Sequence, residues 1–167
     1  KSMVQHRLSQ LISPQQLNEI CGASLNSSEY QYCLNKAQSI DPDVGKLWAK
    51  SDIAAGLYII LSGKVRLLDA EDEMIEGLAA GQYFGEYTFF PVGVASLTEN
   101  RSSTTYIARA GVNVQICFLS QAILIPLLDK YPSMQQHLQT VAEQRCRGGA
   151  DLSARQVLVA PQELNLG

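Results

Sequence analysis

The sequence predicts an α+β fold that is mainly β: an antiparallel β-roll of the jelly-roll barrel type, flanked by N- and C-terminal helices. Three observations carry this expectation. Apolar residues at helical spacing fill the first forty positions and return after Ser120. Between those stretches, short apolar runs are broken by Gly, Asp and Pro at the spacing of short strands. The chain has 167 residues, the size of one compact domain, and such a chain buries roughly 70% of its unfolded surface without disulfides or metal.

The elements follow in order. Val4, Leu8, Leu11 and Ile12 mark a first helix. Ser13-Pro14 restarts a second, with Ser13 as N-cap and Pro14 in the first helical position, and Leu17, Ile20 and Cys21 form its apolar face. "NSSEYQYCLNKAQSI" predicts a third, opened by a capping box on Ser27 or Ser28. From Asp41 the texture changes. Strands are expected at Lys46–Trp48, Leu57–Leu61, Lys64–Leu68 and Met74–Leu78, with Ser62-Gly63 turning a hairpin and Asp69–Glu73 an acidic tip. Two more are expected at Thr104–Ala110 and Val112–Leu119.

After Ser120, a plausible cap, Ile123, Leu124, Leu127 and Leu128 restore the helical period, although Pro126 conflicts with a continuous helix. Met134, Leu138, Val141 and Ala142 mark the last helix, and Gly148-Gly149 stops it. The organisation expected is a helical segment over 1–40, the β-roll with its C-terminal helices over 41–147, and a tail over 148–167.

Composition excludes several classes. Charged residues make up 17% and the net charge is −3, which argues against nucleic acid as a partner of this segment. Cys21, Cys33, Cys117 and Cys146 lack C-x-x-C spacing, so free thiols in a reducing cytoplasm are expected rather than a zinc site. His6 and His137 stand near opposite ends, leaving no histidine set for a metal enzyme of the cupin type. No metal or cofactor is expected, and no run of 18 apolar residues occurs. The chain begins at Lys1, which reads as a segment excised from something longer.

The residues also carry a resemblance. "GLYIILSGKVRLLD" (Gly56–Asp69) looks like the signature hairpin of cyclic nucleotide-binding domains. "AGQYFGEYTFF" (Ala80–Phe90) resembles the start of that family's phosphate-binding cassette, and "YIARAGVNVQICFLSQAILIPLLDKYP" (Tyr106–Pro132) its last strands and first C-terminal helix. "ARAGVNVQICFL", with no helix-turn-helix after Gly149, is closer to the N-terminal regulatory domains of bacterial peptidase-containing ABC exporters.

The resemblance implies a cyclic nucleotide-binding-like regulatory domain, not an enzyme, with cAMP or cGMP as ligand. In that family a short helix after the Gly-Glu pair points N–H groups at the ring phosphate. An arginine grips that phosphate in a bidentate fork, and the glutamate accepts the ribose 2′-hydroxyl. Carried over, Gly85 and Glu86 match the pair and Tyr87 supplies an N–H. The arginine position falls on Thr104, with Thr105 beside it; Arg101 and Arg109 are the nearest replacements. The cassette runs longer than the family's, so "PVGVASLTEN" reads as an insertion.

Each residue also has a plainer reading. Glu86 serves equally as a solvated turn carboxylate, and Arg101 as an exposed loop residue. Gly63 and Gly85 are turn glycines that need positive φ. Tyr83, Phe84, Phe89 and Phe90 are either core or base-stacking rings. Lys64 and Arg66 alternate outward. The function expected is a cytoplasmic sensor, free or on the cytoplasmic face of a transporter, whose ligand moves the helix over 133–147. That movement would bias a covalently attached transporter or peptidase, with a homodimer through the same helix left open. The rivals are a docking module without nucleotide and the ligand-binding half of a transcription regulator.

Overall fold

The structure, a computed structural model, describes residues 3–69, 71–89 and 106–145. Three helices open the chain: α1 (Met3–Leu11), α2 (Pro14–Cys21) and α3 (Ser27–Lys36). At α2 the Ser13 hydroxyl accepts the Gln16 N–H at 3.1 Å, and the Gln16 carbonyl accepts the Ser13 N–H at 2.8 Å, as the sequence predicts. At α3 the cap is Asn26, not Ser27 or Ser28. The box forms between Asn26 and Glu29, three residues on, and its two reciprocal bonds are each 2.8 Å.

Eight strands follow among the described residues: β1 (Gln38–Ile40), β2 (Leu47–Trp48), β3 (Gly56–Ser62), β4 (Val65–Leu68), β5 (Met74–Leu78), β6 (Tyr83–Phe84), β7 (Ile107–Ala110) and β8 (Gln115–Ser120). A short helix α4 (Lys50–Ile53) precedes β3, and a 3-10 turn, Glu86–Phe89, follows β6. Two helices come last, α5 (Gln121–Lys130) and α6 over 132–145. All pairings are antiparallel and give two four-stranded sheets, β1-β8-β3-β6 and β2-β7-β4-β5.

The expected hairpin between β3 and β4 is a crossing from one sheet to the other. β3 pairs with β6 and β8, whereas β4 pairs with β5 and β7. Burial gives the reason. Leu57 and Ile59 join the core under the helices, while Tyr58 and Ile60 join the core between the sheets. A two-residue hairpin would set Arg66 beside Ile59, forcing an unpaired charge into the helix-covered face. In the second sheet Arg66 is exposed, and Val65 and Leu67 are fully buried. Gly63 makes the crossing at φ 80°, where a Cβ would lie 2.7 Å from the Asn113 carbonyl oxygen. The true hairpin joins β4 to β5 through the acidic tip, where the Asp69 carboxylate accepts the N–H groups of Glu71 and Glu73 at 2.9 Å each.

Other boundaries shift for local reasons. Residues 112–114 form a turn with Asn113 at φ 55°, so the last strand starts at Gln115. Ser120 has N-cap geometry but makes no side-chain cap bond. Helix α5 runs through Pro126 without interruption. Pro126 and Ala122 both lie on the solvent side, so the carbonyl that loses its partner faces water, where the loss costs little. The residues Gly148-Gly149 and the tail lie outside the described residues.

One core lies between the sheets, built on Trp48, Tyr58, Phe84, Tyr106 and Ile116, with Tyr58 and Phe84 stacked at 4.7 Å and 3°. The other joins α1–α3 to β3, β8 and the last two helices through Leu8, Leu17, Leu34, Leu57, Leu119, Leu124 and Leu138. Cys21, Cys33 and Cys117 are buried thiols of this second core. Burial pushes them up to about 12, 11 and 12, so they stay protonated and unreactive at neutral pH.

Glu29 clasps α3 to the end of α5, bonding Lys130 Nζ at 2.7 Å and accepting the Tyr131 hydroxyl at 2.6 Å. The Lys130 bond first, then those from Tyr131 and the Asn26 N–H, lowers its pKa from 4.5 to about 2. A carboxylate depressed on folding stabilises above its unfolded pKa and loses that contribution as pH falls through the folded one. Glu29→Gln should therefore be less stable than wild type at neutral pH, and the gap should close between pH 4.5 and about 2. Urea midpoints measured across that window check this.

Candidate functional site

The site forms where β6 ends. Tyr83 and Phe84 are buried, and after them Gly85 takes φ 102°, where a Cβ would strike the Gly56 carbonyl oxygen. Only glycine fits, and the turn it makes carries the next side chain inward. Glu86 is therefore 0% exposed, which removes the reading of a solvated turn carboxylate.

A buried carboxylate needs donors and a cation. Glu86 Oε1 accepts the Tyr106 hydroxyl at 2.8 Å and Arg145 Nη1 at 2.6 Å. The Tyr106 oxygen in turn accepts the Gly85 N–H at 2.6 Å, so one phenol ties the turn to the carboxylate. Arg145 comes from α6. Its Nε donates to Glu76 Oε1 on β5 at 3.0 Å, and its guanidinium lies 5.6 Å from the Tyr83 ring centre and 6.0 Å from that of Tyr106. Two carboxylates and two rings thus hold one cation that is 7% exposed.

Electrostatics agree with the geometry. Burial works against the Arg145 charge, but Glu86 first, then Tyr106 and Glu76, outweighs it and leaves the pKa above its ordinary value. Burial, reinforced by Glu86, pushes the Tyr106 hydroxyl far up. Burial raises Tyr83 as well. Both phenols keep their protons and can donate. Glu86 Oε2 is also buried and has no hydrogen-bond partner among the described residues.

The sequence candidates divide accordingly. Gly85 and Glu86 sit together as expected. The Tyr87 side chain packs between the sheets, edge-on to Tyr106 at 4.9 Å, with its hydroxyl on the Tyr106 carbonyl at 3.3 Å. The helix expected after the Gly-Glu pair is a single 3-10 turn. Arg109 alternates with inward Ala108 and Ala110 and pairs in register with exposed Arg66, so it faces away from Glu86. Arg101, Thr104 and Thr105 lie outside the described residues, as do the side chains of Phe89 and Phe90.

Three site residues escaped the sequence reading: Tyr106, Glu76 and Arg145. A signal existed for the last. Arg145 continues the apolar stripe of Leu138, Val141 and Ala142 by three or four residues, and an arginine on a buried stripe implies a buried acid opposite.

With this geometry in hand, the comparisons are specific. The profile of the cyclic nucleotide-binding domain matches residues 46–131, more than half of the chain, and the chain belongs to that family. No curated protein sequence matches it. Among solved structures it is similar to the sensor domain of the transcriptional regulator DNR from Pseudomonas aeruginosa, at 20% identity and TM-score 0.58, covering 88% of this chain and 93% of that one. Cyclic AMP-bound PfPKA-R (141–441) matches at 15% identity and TM-score 0.62, over 89% of this chain and 47% of that one. The regulatory subunit of a cAMP-independent protein kinase A from Trypanosoma brucei matches at 18% and 0.54, over 83% and 52%. The chain spans about half the length of these last two, and at such identities the likeness is one of fold.

Two outcomes follow from the packing. Gly85→Ala should either fail to fold or lose several kcal/mol, since both the positive φ and the Gly56 carbonyl oppose a side chain; chemical denaturation reads this. Arg145→Ala strands a buried carboxylate and should cost about 3–5 kcal/mol. Replacing both partners with apolar groups, Glu86→Leu with Arg145→Leu, should recover much of that in a double-mutant cycle.

Proposed function

We propose that this chain is the ligand-sensing part of a regulatory protein, taking a cyclic nucleotide, cAMP or cGMP, in the cassette that starts at Gly85. Glu86 would read the ribose 2′-hydroxyl through Oε2 while Oε1 stays on Arg145. The observation that carries this is the 2.6 Å Glu86–Arg145 bond between cassette and α6. Because one buried carboxylate serves both, a hydroxyl donor on Oε2 and the Arg145 bond at Oε1 are coupled through a single charge. Ligand occupancy and docking of α6 then strengthen one another, and that free energy is available to an effector attached beyond residue 145. Arg101, Thr104 and Thr105 remain the proposed phosphate contacts.

Regulation without chemistry is supported by membership of the cyclic nucleotide-binding domain family. For the effector, the similar structures include a transcription regulator's sensor domain and protein kinase regulatory subunits; an exporter rests on the sequence resemblance alone. A second reading, a docking module that binds no nucleotide, is favoured by one observation: Arg145 already supplies Glu86 with a cation. The similar Trypanosoma brucei structure is the regulatory subunit of a protein kinase A described as cAMP-independent.

Calorimetric titration with cAMP and cGMP, paired with hydrogen exchange of α6, separates the two. The sensor reading expects saturable binding, added protection over 132–145, and affinity lowered about tenfold in Arg145→Lys. Silence at millimolar nucleotide leaves the docking module.

A further inference from the structure

A cavity of about 310 Å³ lies between α1, α2, β3 and the β5–β6 turn, with Tyr83 in its lining. That volume sits at the lower end of the roughly 300–1,000 Å³ usual for small-molecule sites. Its floor is apolar and fixed: Ile12, Ile20, Ile59 and Ile60 are each 5% exposed or less. Leu11, one of the exposed large apolar side chains, stands at its edge at 40%. Its rim is polar, with Gln16, Glu19 and His137 among the lining residues. Glu19 is the acid among its lining residues, no lysine or arginine is among them, and Glu19 makes no ion pair among the described residues. His137 completes the rim, and its Nε2 is held 3.1 Å from the Tyr83 hydroxyl.

An apolar floor under an acidic rim selects a molecule with an apolar body and a cationic head. We infer that this cavity is a binding site for a small organic cation, such as an aryl- or alkylamine, independent of the cassette. The body lies against Ile20 and Ile59, and the ammonium group reaches Glu19. The opposite charge choice distinguishes this site from one for a nucleotide, whose phosphate Glu19 would repel.

The probe is phenethylamine, followed by calorimetry and by the amide shifts of Gly81 and His137, with 2-phenylethanol and phenylacetate as neutral and anionic counterparts of the same body. The amine should bind at millimolar concentration with the Gly81 and His137 amides shifting, the alcohol more weakly and the acid not measurably. Glu19→Gln, an exposed change that leaves the fold intact, should weaken the amine about threefold and bring it level with the alcohol. Ile20→Trp should fill the floor and abolish binding of both. Equal affinities of amine and alcohol for wild type, an amine indifferent to Glu19→Gln, or no binding at all would each overturn the inference. Nucleotide binding is measured separately, so loss of either site is read without the other.

Discussion

A carboxylate enclosed in a protein must be met by a cation or by several hydrogen-bond donors, and Glu86 is wholly enclosed. Its one cation, among the described residues, arrives from 59 positions along the chain. Everything around it is arranged by that requirement. The Gly85 turn aims the acid inward, the Tyr106 phenol holds its near oxygen, and β5 offers Glu76 to fix the other edge of the guanidinium. Removing α6 would leave the roll with an uncompensated charge, so the last helix belongs to the roll's own stability.

The two-sheet topology follows from a similar economy of charge. β3 and β8 are apolar on both faces because one face meets the helices and the other meets the second sheet. β4 and β7 carry their arginines, Arg66 and Arg109, in register on the outer face. A strand with an alternating arginine cannot follow a two-faced strand into the same sheet here. The chain therefore changes sheets at Gly63, and the crossing sets β6 beside β3 so that Gly85 packs on the Gly56 backbone.

These same facts explain what the sequence discloses. Helix starts at Ser13-Pro14 and the positive-φ glycines are local chemistry, and they are legible. The strands of β3 and β4 are legible too, but their pairing is not, because Ser62-Gly63 serves a hairpin and a crossing alike; only the exposure of Arg66 decides. At the site, Gly85 and Glu86 stand out by spacing. Tyr106 and Arg145 do not, because their partner is remote and neither neighbours the motif. An arginine on the Leu138–Ala142 stripe is the trace such a pairing leaves, and it becomes meaningful once an acid is known to be buried.

Sharing Glu86 between cassette and helix has a thermodynamic consequence. The oxygen that holds α6 and the oxygen that has no partner among the described residues belong to one charge, so any donor that settles on Oε2 alters the field felt by Arg145, and the reverse holds by linkage. No moving lever is needed between them. In the proposed sensor reading, ligand contact and helix contact are separated by the width of one carboxylate, and the buried Arg145 guanidinium lies near the Tyr83 and Tyr106 rings. In that reading, a hydrogen bond gained at Oε2 is felt at the helix through the same carboxylate, and an effector beyond α6 would receive it.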